Sequence, residues 1–245
     1  MSSLPINEVG YTHETTLPST GETVNFRPYL VKEEKMLLMA AETQDRVEAL
    51  NAMGRIIADC YEDVNINKIT MFDLEHLFIK LRAMSVGESV EVKYACGSCD
   101  APNKQELDLG QVDHGVDPVE FLESHRYIDI NETTKIELAY PTFKSIMANP
   151  ELAKPEDDIK KTVIAFDMID ASIKVIHMGE ELLSFHDFTR AERDKFVGNL
   201  TPGIRKQLQA FFEDGPSMKI LHTFECKECG HKNEIEVKGA QLFFG

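Results

Sequence analysis

Four cysteines form two CxxC pairs that lie far apart in the sequence, Cys96 with Cys99 and Cys226 with Cys229. Two residues between thiolates let the chain fold into a knuckle that presents both sulfurs to one tetrahedral ion, while backbone amides hydrogen-bond to the sulfurs. One knuckle supplies half of a Cys₄ site, and two knuckles complete it. The spacing therefore predicts one structural Zn²⁺ ion per chain, bound by all four side chains.

The two cysteine segments also resemble each other. Each has an aromatic residue two positions before its first cysteine and an asparagine four positions after its second; these are Tyr94 and Asn103 in one segment, Phe224 and Asn233 in the other. The position after the second cysteine suits a left-handed backbone, which Gly230 adopts freely and Asp100 tolerates. We therefore expect both segments to run as strand, knuckle and strand.

A closed Cys₄ site has no coordination position open to water or substrate, so it is structural rather than catalytic. It would close a long loop, and such a clip stabilises a fold by a few kcal/mol, to order of magnitude. Three other interpretations stay open. They are paired free thiols or a degenerate metal site, a redox-active CxxC pair, and two separate sites that use His222 or His231.

The composition argues against several classes of partner. The 245 residues include 42 acidic and 26 basic side chains, with a net charge of −16. This field opposes a phosphate backbone, so we expect no nucleic-acid partner. No stretch approaches the roughly 18–20 apolar residues that span a bilayer. Because the N-terminus also lacks a signal-peptide pattern, we expect no membrane partner and folding in a cytosol.

Catalytic signatures are missing from the sequence. It contains no HExxH, GxSxG, P-loop or dinucleotide-binding motif. The fifth cysteine, Cys60, falls on the apolar face of a predicted helix, which favours a buried core residue over a nucleophile. We therefore predict a protein that is not an enzyme and has no small-molecule substrate.

Helical runs and hairpins alternate along the chain and must position the cysteines. Apolar stripes predict helices at residues 44–61 and 72–84. A helix is also predicted at residues 31–41, with Glu33 and Glu34 in its first turn, where the helix dipole favours acidic side chains. Alternation predicts strands on both sides of each CxxC pair and two further hairpins, at 127–138 and 173–185. Later helices are predicted to begin at Pro155, Thr189 and Thr201. The pattern indicates an α+β fold with a zinc-ribbon-like module built from two distant CxxC knuckles.

Residues 1–16 are polar and weakly patterned, which predicts an N-terminal arm. We expect residues 17–245 to form a single globular domain. This domain can divide into two sub-lobes, one of 17–110 with 216–245 around the zinc ribbon, and one of 111–215.

Spaced patterns outside any catalytic motif carry a family resemblance. They are Leu-Pro-Ser-Thr-Gly at 17–21, Phe-Arg-Pro-Tyr at 26–29, Val-Lys-Glu-Glu-Lys at 31–35, Phe-Asp-Leu-Glu at 72–75, Leu-Arg-Ala at 81–83, Ser-Val-Gly-Glu at 85–88, Phe-Thr-Arg-Ala-Glu at 188–192, Leu-Thr-Pro at 200–202, Phe-Phe at 211–212, Pro216, Cys-Lys-Glu-Cys-Gly at 226–230 and Leu-Phe-Phe at 242–244. In these patterns the chain resembles the baseplate hub subunit and hub assembly protein family of T-even-type contractile-tailed phages.

The resemblance implies a non-enzymatic structural or assembly component of the central hub of the tail baseplate. Its partners would be other tail and baseplate hub proteins. Its location would be the host cytoplasm during assembly and the virion tail baseplate. The residues by themselves also permit a cellular zinc-ribbon adaptor of a multiprotein complex, which is kept as the alternative.

Overall fold

The computed structural model describes residues 9–43, 45–149, 152 and 161–238. The start of the predicted arm (1–8), the predicted helix start at Pro155 and the 242–244 stretch lie outside these residues. The chain divides into two compact units: the first holds the residues up to Ile66, Asp73–Asp113 and those from Met218, and the second holds Asn67–Phe72 and His114–Ser217. Both units mix helices with antiparallel strands, which confirms the predicted α+β class.

The first unit begins with a short hairpin. Strand β1 (His13–Thr16) pairs antiparallel with β2 (Thr23–Phe26), so the last residues of the predicted arm form a strand. The turn between them contains Gly21 at φ 72°, a conformation that glycine adopts without strain. Asp73 accepts hydrogen bonds from the amide of Ser19 at 2.9 Å and from its hydroxyl at 2.6 Å, and this anchors the turn.

Three helices follow in the first unit, α1 (Val31–Thr43), α2 (Arg46–Cys60) and α3 (Met71–Val86), the last of which belongs to this unit from Asp73 onward. The carboxylate of Asp45 caps α2 by accepting hydrogen bonds from the first turn. The predicted apolar stripes of α2 and α3 are buried, which confirms both helices. Fully buried side chains on them include Leu50, Met53, Ile56, Ile57, Cys60, Leu74, Leu77, Phe78 and Leu81.

The pKa values of two acidic side chains in this unit, Glu33 and Glu75, are shifted in opposite directions. Burial works to raise the pKa of Glu33, but hydrogen bonds from Arg27 at 2.9 Å and from the Leu30 amide at 2.9 Å outweigh it, so the pKa of Glu33 lies below its usual value. Burial raises the pKa of Glu75 to about 7, and the charge of Arg46 offsets only part of that effect. The first carboxylate therefore stabilises the fold when ionised, and the second destabilises it.

Two hairpins complete the first unit. Strands β3 (Ser89–Ala95) and β4 (Pro102–Asp108) pair from Ser89 opposite Asp108 to Ala95 opposite Pro102. Strands β9 (Lys219–Glu225) and β10 (Lys232–Lys238) pair in the same antiparallel manner. Alternate apolar residues in both hairpins are buried, as expected for strands with one face on a core. These residues are Val90, Val92, Leu107, Ile220, Phe224 and Val237.

The second unit contains a four-stranded antiparallel sheet in the order β5-β6-β7-β8. Its strands are β5 (Tyr127–Asp129), β6 (Thr134–Leu138), β7 (Ile173–Met178) and β8 (Glu181–Ser184). Residues directly opposite each other share a face, so Ile128, Ile136, Ile176 and Leu183 form one row on the core side. This sheet includes both hairpins that the sequence predicted for residues 127–138 and 173–185.

Helices cover the core side of this sheet. The helices described in this unit are α4 (Pro118–His125), α5 (Phe143–Met147), α6 (Lys161–Ser172), α7 (Arg190–Gly198) and α8 (Pro202–Glu213). All of them except α5 contribute side chains to the core that lies against the sheet. The predicted capping box of α7 is present, with Thr189 and Glu192 hydrogen-bonding reciprocally. Ile204, Leu208 and Phe211 of α8 pack in a core with the sheet. The short helices α4 and α5 were not among the sequence predictions.

Candidate metal centre

The first CxxC pair lies in the knuckle between β3 and β4. The amide of Cys96 donates to the carbonyl of Ala101 at 2.9 Å, and the amide of Asp100 donates back to the carbonyl of Cys96 at 3.0 Å. Asp100 has a φ of 56°, so the chain turns sharply directly after Cys99. This confirms the left-handed conformation predicted at Asp100.

The second knuckle, between β9 and β10, has the same backbone geometry. The amide of Cys226 donates to the carbonyl of His231 at 2.8 Å, and the amide of Gly230 donates to the carbonyl of Cys226 at 2.9 Å. Gly230 has a φ of 70°. The similarity of the two sequence segments therefore corresponds to a similarity of their folded shapes.

All four predicted cysteines come together. Their sulfur atoms lie within 4.8 Å of one another, with 3.7 Å between Cys96 and Cys229 and 3.7 Å between Cys99 and Cys226. These distances exceed by far the bond of about 2.05 Å in a disulfide, and all four thiols are free. Cys96 and Cys226 are buried, whereas Cys99 and Cys229 are exposed. The cluster is therefore a group of soft ligands that could hold one metal ion.

The asparagine that follows each knuckle contacts a cysteine sulfur of the opposite knuckle. Asn103, after the first knuckle, directs its amide nitrogen at the Cys226 sulfur at 3.5 Å and accepts a hydrogen bond from the Lys227 amide at 3.2 Å. Asn233, after the second knuckle, directs its amide nitrogen at the Cys96 sulfur at 3.7 Å and accepts from the Gly97 amide at 2.9 Å. Both asparagines are buried. They therefore orient the buried cysteine of the opposite knuckle.

Hydrogen bonds lower the pKa values of some of the thiols and raise the pKa of another. Backbone amides of Cys229 and Glu228 lower the pKa of Cys226 to about 6, and the amide of Ser98 lowers the pKa of Cys96. At Cys99 the Ala101 amide acts in the same direction, but interactions with the Cys229 and Cys226 thiols outweigh it and raise the pKa to about 12. Thiols this close cannot all ionise together without a cation among them.

Histidine does not enter the cluster. The side chain of His222 hydrogen-bonds to Gln105 at 3.2 Å, and His231 contributes its backbone carbonyl to the knuckle. Among the described residues, the cysteine quartet is the one group of three or more His, Cys, Asp or Glu side chains with metal-binding spacing.

The comparison with known protein families decides the class of this chain. The family model described as T4 bacteriophage base plate protein matches residues 10–245. The chain belongs to this family. As a base plate protein it is a structural component of the phage tail, and it interacts with other baseplate or tail proteins. No curated protein and no solved structure matches the chain.

Other sequence predictions can be placed in this base plate protein. Cys60 is fully buried, which confirms the predicted core position, and burial raises its pKa to about 12. In the described part of the chain, no helix is long and apolar enough to cross a membrane. The contacts of Asn103 and Asn233 with the sulfurs of the opposite knuckle were not predicted. The equivalent positions of the two asparagines in the two cysteine segments would have allowed that prediction.

Proposed function

We propose that this base plate protein is a non-enzymatic component of the central hub of the baseplate, or of the hub's assembly, with one structural Zn²⁺ ion bound by Cys96, Cys99, Cys226 and Cys229. The observation that carries the role is the family match over residues 10–245. The resemblance of the chain to hub subunits and hub assembly proteins favours the hub over other parts of the baseplate. The family match favours this role over a cellular zinc-ribbon adaptor.

The spacing of the sulfur atoms supports an ion with four tetrahedral thiolate ligands, for which zinc is the proposed metal. Four thiolates about 2.3 Å from a tetrahedral Zn²⁺ ion lie about 3.8 Å from one another. The distances of 3.7 Å for Cys96–Cys229 and for Cys99–Cys226 agree with this value. An ion with four cysteine ligands has no coordination position left for a substrate, which supports a structural rather than an enzymatic role.

The ion would join two hairpins that are distant in sequence. Cys99 and Cys226 are 127 positions apart, and both hairpins belong to the first unit. The asparagine contacts between the knuckles, from Asn103 and Asn233, would fix the mutual orientation of the hairpins. In this proposal zinc stabilises the surfaces that bind other tail proteins and takes no part in binding them.

The hub role is tested in phage-infected cells that carry a nonsense mutation in the gene. Lysates should accumulate tail proteins without complete baseplates, and supply of the wild-type protein should restore baseplates. Quantitative mass spectrometry of purified tails then separates a hub subunit, with a fixed copy number, from an assembly factor that is absent from tails. Normal baseplates with a complete hub in the mutant lysate would contradict both forms of the proposal.

The metal is tested by elemental analysis of protein purified without added metal. We expect about one zinc ion per chain in the wild type and much less in Cys226→Ser, because three thiolates no longer close the site. Cys60→Ala is the matched control, since Cys60 is a free cysteine outside the cluster. Equal zinc content in Cys226→Ser and the wild type would refute the shared site, whereas iron in place of zinc would refute the choice of metal.

A further inference from the structure

One edge of the sheet in the second unit has no partner strand among the residues that the structure describes. There, strand β8 pairs with β7 on one side and with no described strand on the other. A two-residue turn joins the strands, so Met178 and Glu181 form the hydrogen-bonded pair next to it, and bonded and non-bonded pairs alternate from there. Leu182 therefore directs its N–H and C=O away from β7, and Ser184 does so with its N–H. Within the described residues, no hydrogen bond reaches these groups.

An apolar cavity of about 290 Å³ opens beside this edge, between β8 and helix α7. Its apolar wall includes Met178, Leu183, Phe185, Phe188 and Phe196. An apolar cavity of about 150 Å³ accepts a molecule of benzene, so this one has room for a large apolar side chain. Three apolar side chains at the edge and the cavity are strongly exposed: Leu182 at 66%, Met178 at 48% and Phe188 at 39%.

The register of the sheet aligns the edge with the cavity. Leu183 lies opposite Ile176 in the row that faces the helices, and both residues line the cavity. Successive residues of a strand alternate between the two faces. A further strand beside β8 would therefore place the residue opposite Leu183 on the cavity side and its two neighbours on the other face.

The charges around the edge select the chemistry of such a strand. Four exposed acidic residues surround it, Glu180, Glu181, Asp187 and Glu192. The nearby Arg193 is occupied by Asp170, to which it donates at 2.8 Å. An acidic rim attracts a basic segment and repels an acidic one. Because the whole chain carries a net charge of −16, a second copy of this protein is a poor match.

We propose that β8 is a docking site for an extended segment of another protein, which adds a fifth strand to the sheet, inserts one large apolar side chain into the cavity and carries Lys or Arg on both sides of it. Backbone hydrogen bonds at the edge would supply affinity, and the cavity would supply specificity. The inference deepens the proposed assembly role and rests on it for the source of the segment, another tail protein.

Position 184 offers a matched pair of variants that separates the edge from the rest of the surface. Ser184 has a φ of −63°, which is the value that proline requires, and the preceding Leu183 is extended, as a residue before proline must be. Ser184→Pro therefore removes the outward N–H and blocks the edge with little strain. Ser184→Ala keeps the N–H and serves as the control.

The probe is the capped peptide acetyl-Lys-Thr-Phe-Thr-Lys-amide, titrated into the ¹⁵N-labelled full-length protein to about 5 mM. We expect shifted amide signals at β8 and around Phe188 in the wild type and in Ser184→Ala. Ser184→Pro should weaken binding by about tenfold or more. Peptides with Ser in place of Phe, or Glu in place of both Lys residues, should bind more weakly than the parent.

Four results would overturn the inference. Three come from the titrations: equal binding by Ser184→Pro and Ser184→Ala, tighter binding of the Glu peptide than of the Lys peptide, and no binding up to the highest concentration. The fourth is a self-association in analytical ultracentrifugation that Ser184→Pro abolishes, because a second copy would then be the occupant. The baseplate assay separates this inference from the assembly role. Peptide binding together with normal baseplates in the nonsense mutant refutes the assembly role alone. Absence of peptide binding together with incomplete baseplates in that mutant refutes the docking site alone.

Discussion

Loss of the proposed zinc ion should destabilise the first unit by an amount that follows from the loop that the ion would close. In Cys226→Ser the two hairpins are no longer joined through a shared ion, although each keeps its own backbone hydrogen bonds. The unfolded chain then regains the conformational freedom that a cross-link across the intervening loop would have removed.

The size of the effect can be worked out from the separation of 127 residues between Cys99 and Cys226. The loop-closure relation used for disulfides gives an entropy of about −16.5 cal/mol/K for a loop of this length, which is about 5 kcal/mol at 25 °C. Unlike a disulfide, a zinc ion can leave the unfolded chain, so the stabilisation also depends on the free zinc concentration and on any binding of zinc to a single CxxC pair in the unfolded chain. We expect a loss of about 3–5 kcal/mol.

Urea unfolding followed by far-ultraviolet circular dichroism measures this loss, because the chain has no tryptophan for fluorescence. Wild type and Cys226→Ser are compared with and without a zinc chelator. The chelator should lower the stability of the wild type to that of the variant and leave the variant unchanged. Hydrogen exchange should locate the effect in β3, β4, β9 and β10. A chelator effect of equal size in both proteins, or a loss below about 1 kcal/mol, would refute the reasoning.

Three further substitutions test the contacts of the first unit. Asn233→Ala removes the contacts with Cys96 and Gly97 and should weaken zinc affinity by about 10–100-fold in a chelator competition, while the cluster still binds the ion. Glu75→Gln should stabilise the protein at pH 8 by up to about 3 kcal/mol and have no effect at pH 4. The pKa of Glu75, raised to about 7, adds an ionisation cost only as the pH rises from 4.5 through 7, and water reduces this cost because Glu75 keeps some exposed surface. A stabilisation that does not depend on pH would contradict the explanation. Glu33→Ala leaves Arg27 buried without its carboxylate and should cost about 3–5 kcal/mol at pH 7 in urea unfolding. Since the pKa of Glu33 is lowered, its contribution in the wild type should be complete above pH 4.5 and disappear as the pH falls through that lowered value, so Glu33→Ala and the wild type should converge in acid.

Local patterns predicted the elements that carry the site because the interactions that form them are local. The apolar stripe through Leu50, Met53 and Ile57 predicted α2, since a helix brings residues three and four apart onto one face. The capping box at Thr189 predicted the start of α7 for the same reason. Strand β1 was not predicted, because four polar residues gain their structure from pairing with β2 rather than from their own pattern.

The sequence by itself determined the two CxxC knuckles, including the left-handed residue after each second cysteine, because a knuckle is closed by hydrogen bonds between residues four or five apart. It also determined the family, through patterns spread over most of the chain. Only the tertiary structure decided that Asn103 and Asn233 reach across to the opposite knuckle, and that the edge of β8 adjoins an apolar cavity. The asparagine contacts join residues more than 120 positions apart, and the proposed docking site joins an outward strand edge to the helix that follows it. Packing between separate elements creates both, and local periodicity carries no information about such packing.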